Sequence, residues 1–227
     1  SISGTPQQIP VSAFNSLFDN GSFSNLAQPS GGISIDALQA TIMNQAQFRR
    51  FTGHNSAVFN FVVDVDGSST KQAGIRWMEF RQSGDGQPWS LFQEGTYVAA
   101  DNKHAWNASL AMDDQGNIGM GYTGMSSDNS TNGNVRVSTF YTGRLSGDTA
   151  GTMTIAEEPI AIGNGLFTNE RYGDYSKIDV DPSDDQTFWF IDEYINNSRK
   201  GVVGVFKIAP DIPIISFGST SGTISED

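Results

Sequence analysis

Ala57-Val58-Phe59-Asn60-Phe61-Val62-Val63-Asp64-Val65 runs into Asp66-Gly67, and Gly74-Ile75-Arg76-Trp77-Met78-Glu79-Phe80-Arg81 follows a few residues later. The first run is rich in β-branched and aromatic residues. It stops at a dipeptide that tolerates the positive φ of a tight turn. Two such runs with a turn between them spell a β-hairpin. The pattern then returns. Ser109-Leu110-Ala111-Met112-Asp113 meets the turn Asp114-Gln115-Gly116-Asn117, followed by Ile118-Gly119-Met120-Gly121-Tyr122 and a further strand over 134–142. Ser176-Lys177-Ile178-Asp179-Val180-Asp181 meets Pro182-Ser183-Asp184-Asp185-Gln186, then Thr187-Phe188-Trp189-Phe190-Ile191 and a strand over 201–208.

These copies begin near Val63, Ala111 and Ile178, and each joins a strand ending in Asp to a polar turn and two more strands. The third is delayed by residues 146–171, which hold a strand-like 153–156 and Glu157-Glu158-Pro159-Ile160. Repetition of a four-stranded antiparallel unit predicts an all-β fold of the β-propeller type. At roughly 45 residues per blade, the chain supplies four or five blades, as part of a larger ring if the full circle needs more. Upstream, Ser34-Ile35-Asp36-Ala37-Leu38 reads either as a short helix capped by Ser34 or as the approach to an outer strand over 42–51. The strand reading is preferred, because it leads through Gly53 straight into the run at Ala57. The expected organisation is an N-terminal segment or partial blade over 1–32, blades over 33–209, a linker over 210–213 and a separate strand over 214–227.

Composition narrows the partners. Lys plus Arg is 13 against 25 Asp plus Glu, a formal net charge of −12, which repels phosphate backbones and anionic lipid surfaces. The apolar run over 57–65 is broken by Asn60 and Asp64 and falls short of the roughly 20 residues of a spanning helix. No nucleic acid partner and no membrane insertion are expected. The absence of Cys removes disulfides, thiolate catalysis and Cys-ligated zinc together. Few lysines, many Asn, Ser, Thr and Gly, and an acidic balance point to a secreted or cell-surface protein. Ser1 to Pro10 carries neither a basic region nor an apolar core, so the chain is expected to begin after processing or to be a piece of a longer one.

Several stretches resemble a group of large exported bacterial proteins of the sialidase-like β-propeller kind. They are Gly74 to Arg81, Phe92-Gln93-Glu94-Gly95-Thr96-Tyr97, Ser109 to Asp113, Tyr141-Thr142-Gly143-Arg144, Arg171-Tyr172-Gly173-Asp174-Tyr175-Ser176, Val180-Asp181-Pro182, and Thr187 to Phe190 through Glu193-Tyr194. This resemblance spans about 33–208 and implies a propeller with further blades upstream of Ser1. Residues 214–227, Ile214 to Asp227, resemble the first strand of a Calx-beta domain, a calcium-binding sandwich of surface adhesins. There Glu226 matches a position that is often a calcium ligand. Ala209-Pro210-Asp211-Ile212-Pro213 reads as the linker, stiffened by its prolines. A multidomain parent is implied, whose remainder is a candidate partner.

The candidate sites follow from residue chemistry. A sialidase-like reaction needs arginines converging on a substrate carboxylate, a Tyr activated by a carboxylate, and an acid for the leaving oxygen. Arg76, Arg81, Arg136, Arg144 and Arg171 supply guanidinium groups, and Tyr172, Tyr175 and Tyr194 lie near Asp174 and Glu193. The catalytic candidates are Asp174, Tyr175, Glu193 and Arg171. Competing with that, Arg and Glu on strands pair across a sheet, and Asp174 holds backbone amides at the start of its strand. For calcium, Asp179, Asp181, Asp184 and Asp185 form the densest acidic cluster, and Asp64-Val65-Asp66-Gly67-Ser68 is similar to the start of a calcium loop, the EF-hand version being excluded because the twelfth position from Asp64 is Ile75 instead of Glu. Both also read as plain acidic turns. Trp89 and Trp106 lie near loops and are candidates to stack on sugar rings, whereas Trp77 and Trp189 are expected in the core. His54 and His104 are isolated and expected at the surface. Asn107, Asn129 and Asn196 begin glycosylation triplets, which arise readily by chance in such loops.

These readings favour a non-catalytic propeller portion that recognises a glycan or protein in adhesion. The alternatives are a sialidase-like glycan-processing enzyme and a scaffold that docks a companion chain. Three or more arginines meeting a Tyr and a carboxylate in one pocket would favour the enzyme.

Overall fold

The computed structural model describes residues 6–67, 71–126 and 134–209. Its strands form antiparallel meanders in which chain neighbours pair. The first sheet runs β1 (Gln47–Phe51), β2 (His54–Asp64), β3 (Ala73–Gln82) and β4 (Ser90–Tyr97). The middle sheet runs β5 (Lys103–Met112), β6 (Ile118–Ser126), β7 (Ser138–Arg144) and β8 (Ile155–Ala161). The last sheet holds β9 (Lys177–Val180), β10 (Thr187–Asn196) and β11 (Ser198–Lys207). Each repeat read from the sequence falls on one hairpin: β2 with β3, β5 with β6, and β9 with β10.

Side-chain alternation explains how the sheets stack. Along β6, Ile118, Met120 and Tyr122 join Leu110 and Met112 of β5 against Val58, Ile75 and Trp77 of the first sheet. The intervening Gly119 and Gly121 face the other way, where a Cβ would run into the rings of Phe188 and Phe190 in β10. A Cβ at Gly119 would lie 2.8 Å from Phe188. Alternate residues of one strand therefore point to opposite neighbours, as a period of two requires. Every residue of β5 and β6 is buried, because the middle sheet is covered on both faces.

Among the described residues, those before β1 form no sheet of their own. Residues 34–38 are not helical; Leu26 and Ile35 make an isolated bridge, and Phe18, Leu26, Ile35 and Ala37 pack with Trp106, Phe167 and Tyr172. The outer strand expected over 42–51 is present as β1, beginning at Gln47. Residues from Gln7 to Asn15 instead lie along the first sheet. Gln7 exchanges amide hydrogen bonds with the Trp89 backbone, Ser12 donates to Glu94, and Phe14 packs on Phe61 with ring centroids 4.9 Å apart. The fold is all-β, with three sheets among the described residues. The linker over 210–213, the Calx-beta-like strand over 214–227 and the triplet at Asn129 lie outside the described residues.

Candidate functional site

The loop before β9 is pinned to the middle sheet. Gly173 sits at φ +69, and a side chain there would collide with Asn107 of β5, whose Nδ2 donates 3.0 Å to the Tyr172 carbonyl. Ser176 Oγ donates to the Asn107 carbonyl at 2.5 Å. In β10 the alternation that buries Phe188, Phe190 and Asp192 turns Ile191 and Glu193 to the outer side. Between this loop and the outer face of β10 and β11 lies a cleft of about 360 Å³, lined by Arg171, Asp174, Tyr175, Ile191, Glu193 and Arg199 among others. Four residues picked from the sequence, Arg171, Asp174, Tyr175 and Glu193, meet there.

Ion pairs order the cleft. Arg171 donates through Nη2 to Asp174 and holds Nη1 at 3.9 Å from Asp36 Oδ2. Arg199 donates 2.7 Å to the Arg171 carbonyl and places Nε 3.4 Å from Glu193 Oε2. Its guanidinium also stacks 4.9 Å over the Phe167 ring. The hydrogen bond to Asp174 raises the Arg171 pKa further, so this group stays charged. Asp36 is pushed up by burial, and its Oδ2 accepts no hydrogen bond. Tyr172 is buried and donates its hydroxyl to the Glu193 carbonyl, while Tyr175 stands 91% exposed at the rim.

Asp192 lines the cleft as well, but its Oδ2 is held on the middle sheet. Its Oδ2 accepts 2.8 Å from Thr123 Oγ1 and 3.3 Å from Thr139 Oγ1, both on the middle sheet, and the residue is 4% exposed. Burial pushes its pKa up to about 7, and its Oδ1 has no hydrogen-bond partner.

The other arginines disperse. Arg76 pairs with Glu94, Arg81 pairs with Glu79, Arg136 donates to the Pro29 carbonyl, and Arg144 donates to the Asp148 and Thr152 carbonyls. Arg76 takes the expected cross-strand role, Glu94 lying on β4, whereas Arg81 and Glu79 sit two apart on β3 and pair within the strand. Glu79 in addition accepts from Ser56 and Gln93. Asp174, expected on backbone amides, bonds Arg171 instead. Arg199 was not singled out, yet pairing β10 with β11 through Asn196 and Ser198 sets it opposite Ile195 and diagonal to Glu193. That diagonal relation was readable once Asn196-Asn197 was taken as a hairpin turn.

Several expectations are corrected. Trp106 is 0% exposed in the middle of β5, packed against Tyr172, so no sugar can reach it. Trp189 is the exposed tryptophan, at 46%, because alternation with Phe188 and Phe190 turns it outward. Trp89 is half-buried beneath Gln7 and beside Phe48. His104 is buried instead of superficial; its Nδ1 accepts 3.2 Å from the Ala73 amide, and burial holds its pKa down at about 4. His54 is half-buried against Phe51.

The acidic turns make their own closures. Asp184 accepts from the amides of Gln186 and Thr187, the Thr187 hydroxyl and Lys207, which lowers its pKa. Asp181 takes the Ser183 amide and Trp189 Nε1, and Asp179 lies 3.4 Å from Lys177. Asp64 faces the amides of Asp66 and Gly67 at 3.4 Å. Among the described residues, no group of three or more His, Cys, Asp or Glu is placed to hold a metal ion. In the same residues no helix is long and apolar enough to cross a membrane. Comparison with protein families, curated proteins and solved structures returns no match for this chain.

Proposed function

We propose that the chain is a non-catalytic recognition module of a secreted or cell-surface protein, binding a glycan in the cleft between the 171–176 loop and the last sheet. The observation that carries this reading is the convergence of Arg171, Asp174, Tyr175, Glu193 and Arg199 on one opening. Planar charged groups offer paired donors and acceptors to sugar hydroxyls, and the free ring of Tyr175 beside Ile191 offers an apolar surface to a pyranose face. A sialidase-like reaction draws less support. Two arginines meet in the cleft, both are paired with carboxylates, and Asp192, whose pKa burial raises to about 7, directs its Oδ2 at Thr123 and Thr139. A glycan array probed with the chain and with Tyr175→Ala tests the proposal. Binding that is lost in the variant supports it, and an array silent toward both overturns it. Repeating the array with calcium and with a chelator tests the calcium dependence implied by the Calx-beta resemblance.

A scaffold role has its own observation. Trp189 faces Val205 and Ile191 faces Val203 across β10 and β11, and all four are about half exposed on the outer side of the last sheet. The middle sheet is covered on both faces, and the first sheet is lined in part by residues 7–15 while leaving Phe48 and Phe92 exposed, so the outer side of the last sheet is one of the uncovered apolar faces among the described residues. A further antiparallel sheet from a companion chain fits it, extending the same layering. Sedimentation of the chain mixed with the remainder of its parent polypeptide distinguishes this role. Complex formation abolished by Val205→Lys supports it, and independent sedimentation removes it.

A further inference from the structure

We propose that the free edge of β11 takes up an extended acidic segment of a partner protein as a fourth strand of the last sheet. This goes beyond the glycan reading, because the contact is made by the backbone of a strand and not by the cleft. β11 pairs with β10 residue for residue from Ser198 to Lys207, and its other side meets no strand among the described residues. In an antiparallel pair, alternate amides and carbonyls point away from the partner strand. Along β11 those groups have no backbone hydrogen-bond partner among the described residues. The middle sheet closes the corresponding place, since its third strand, β7, carries β8.

The other edges are protected, each by a different device. β5 is buried along its whole length, and β1 and β9 are only five and four residues long. The pairing of β3 with β4 shifts register, and Gly151 abuts β4 at Gly95. β8 contains Pro159 and pairs with β7 across two register shifts. β11 is ten residues long, with no proline and no register shift, and its one guard is charge. Arg199, Lys200 and Lys207 are its charged residues, all cationic, in a chain of net charge −12.

That charge decides the occupant. Two copies paired antiparallel about Val203 would set each Arg199 opposite the other's Lys207, like charge against like. An acidic strand meets the opposite sign. Asp184 lies 2.9 Å from Lys207 and Glu193 lies 3.4 Å from Arg199, whereas Lys200 has no ion pair among the described residues. Alternation puts Arg199, Val203, Val205 and Lys207 on the outer side, with both valines 53% exposed. The segment that fits therefore has β-branched residues in its middle and carboxylates at its ends, and adds main-chain hydrogen bonds to the sheet edge.

Fluorescence anisotropy of the full chain tests this with a labelled nine-residue probe, glutamate at both ends and valine and threonine alternating between. A second probe has lysine at both ends. A third keeps the glutamates but is N-methylated at its central four amides. The glutamate probe is expected to bind with a dissociation constant of about 10 to 100 µM, and the lysine probe at least about tenfold more weakly. The N-methylated probe is expected not to bind, because it lacks the donors a strand needs. Lys200→Glu, a change at an exposed residue, is expected to weaken the glutamate probe about threefold. A lysine probe bound as tightly as the glutamate probe overturns the choice of an acidic partner. Binding retained by the N-methylated probe overturns strand pairing. No binding of any probe at millimolar concentrations overturns the proposal, and sedimentation of that chain as a dimer would assign the edge to a second copy instead.

Discussion

The middle sheet meets its two neighbours with different surfaces. Toward the first sheet it offers side chains, with Leu110, Met112, Ile118, Met120 and Tyr122 meeting Val58, Ile75 and Trp77. Toward the last sheet it offers hollows at Gly119, Gly121 and Gly143, filled by Phe188, Phe190 and Ile208. β6 supplies both, residue by residue. The first interface sets buried side chain against buried side chain. The second depends on the absence of Cβ atoms, which fixes where the last sheet sits and so where the cleft opens above it.

The largest test of this contrast is Phe190→Ala. It empties a hollow lined by backbone that cannot collapse, and a loss of about 4 kcal/mol is expected from the denaturant midpoint. Met120→Ala, on the face built of side chains alone, is expected to cost about 2 to 3 kcal/mol. Equal losses would erase the distinction. Gly121→Ala probes the same hollow from the other side. Overpacking against Phe190 is expected to cost about 2 to 3 kcal/mol, and in a Phe190→Ala background the same change is expected to be nearly neutral. Additive losses would show that ring and glycine do not share the space.

The faces also bury titratable groups of opposite sense. Asp192, between the middle and last sheets, has its pKa raised from 3.8 to about 7, so the native state holds a proton that the unfolded chain has released. Stability therefore falls as pH rises through that window, and is flat above it. His104, hydrogen-bonded to the first residue of β3, is lowered from 6.5 to about 4, so the unfolded chain takes up the proton first. Its contribution is complete above pH 6.5 and is lost on acidification toward 4. Over the shared range the two slopes oppose, each at most about 1.4 kcal/mol per pH unit. Asp192→Asn is expected to expose the acid sensitivity of His104: the melting temperature of the variant climbs between pH 4.5 and 6.5 where that of the wild type stays level. A level profile in the variant would mean that His104 is hydrated.

Much of this was legible beforehand. The hairpins followed from alternating runs that end in Asp-rich turns, and the meeting of Arg171, Asp174 and Tyr175 followed from closeness in sequence. What local pattern withheld was sidedness. Trp106 and Trp189 both sit in strands, and their exposure depends on which sheets cover them, a tertiary fact. His104 looked isolated because its partner is a backbone amide, which leaves no mark in the sequence. Glu193 and Arg199 needed the register of one hairpin. The run Ile118-Gly119-Met120-Gly121-Tyr122 did carry the layering, since alternate glycines in a buried strand mark close approach by a neighbour.

The smallest expected effect concerns the last sheet's own two sides. Phe206 points inward and stacks on Tyr141 at 4.1 Å, whereas Val205 points outward and is about half exposed. If that outer side is bare in solution, Val205→Thr keeps a β-branched side chain on the strand and removes no buried contact of consequence. Its cost in stability is then expected to stay within about 0.5 kcal/mol. The measurement is a urea midpoint at two protein concentrations. A loss above about 1 kcal/mol at both would mean that something within the chain covers Val205, and the contrast between the two sides would collapse. A loss that grows with concentration would mean that a second copy covers it, because association stabilises the folded state by mass action. Only a small, concentration-independent change leaves the outer side of β10 and β11 bare, and the cleft at its edge open to a ligand.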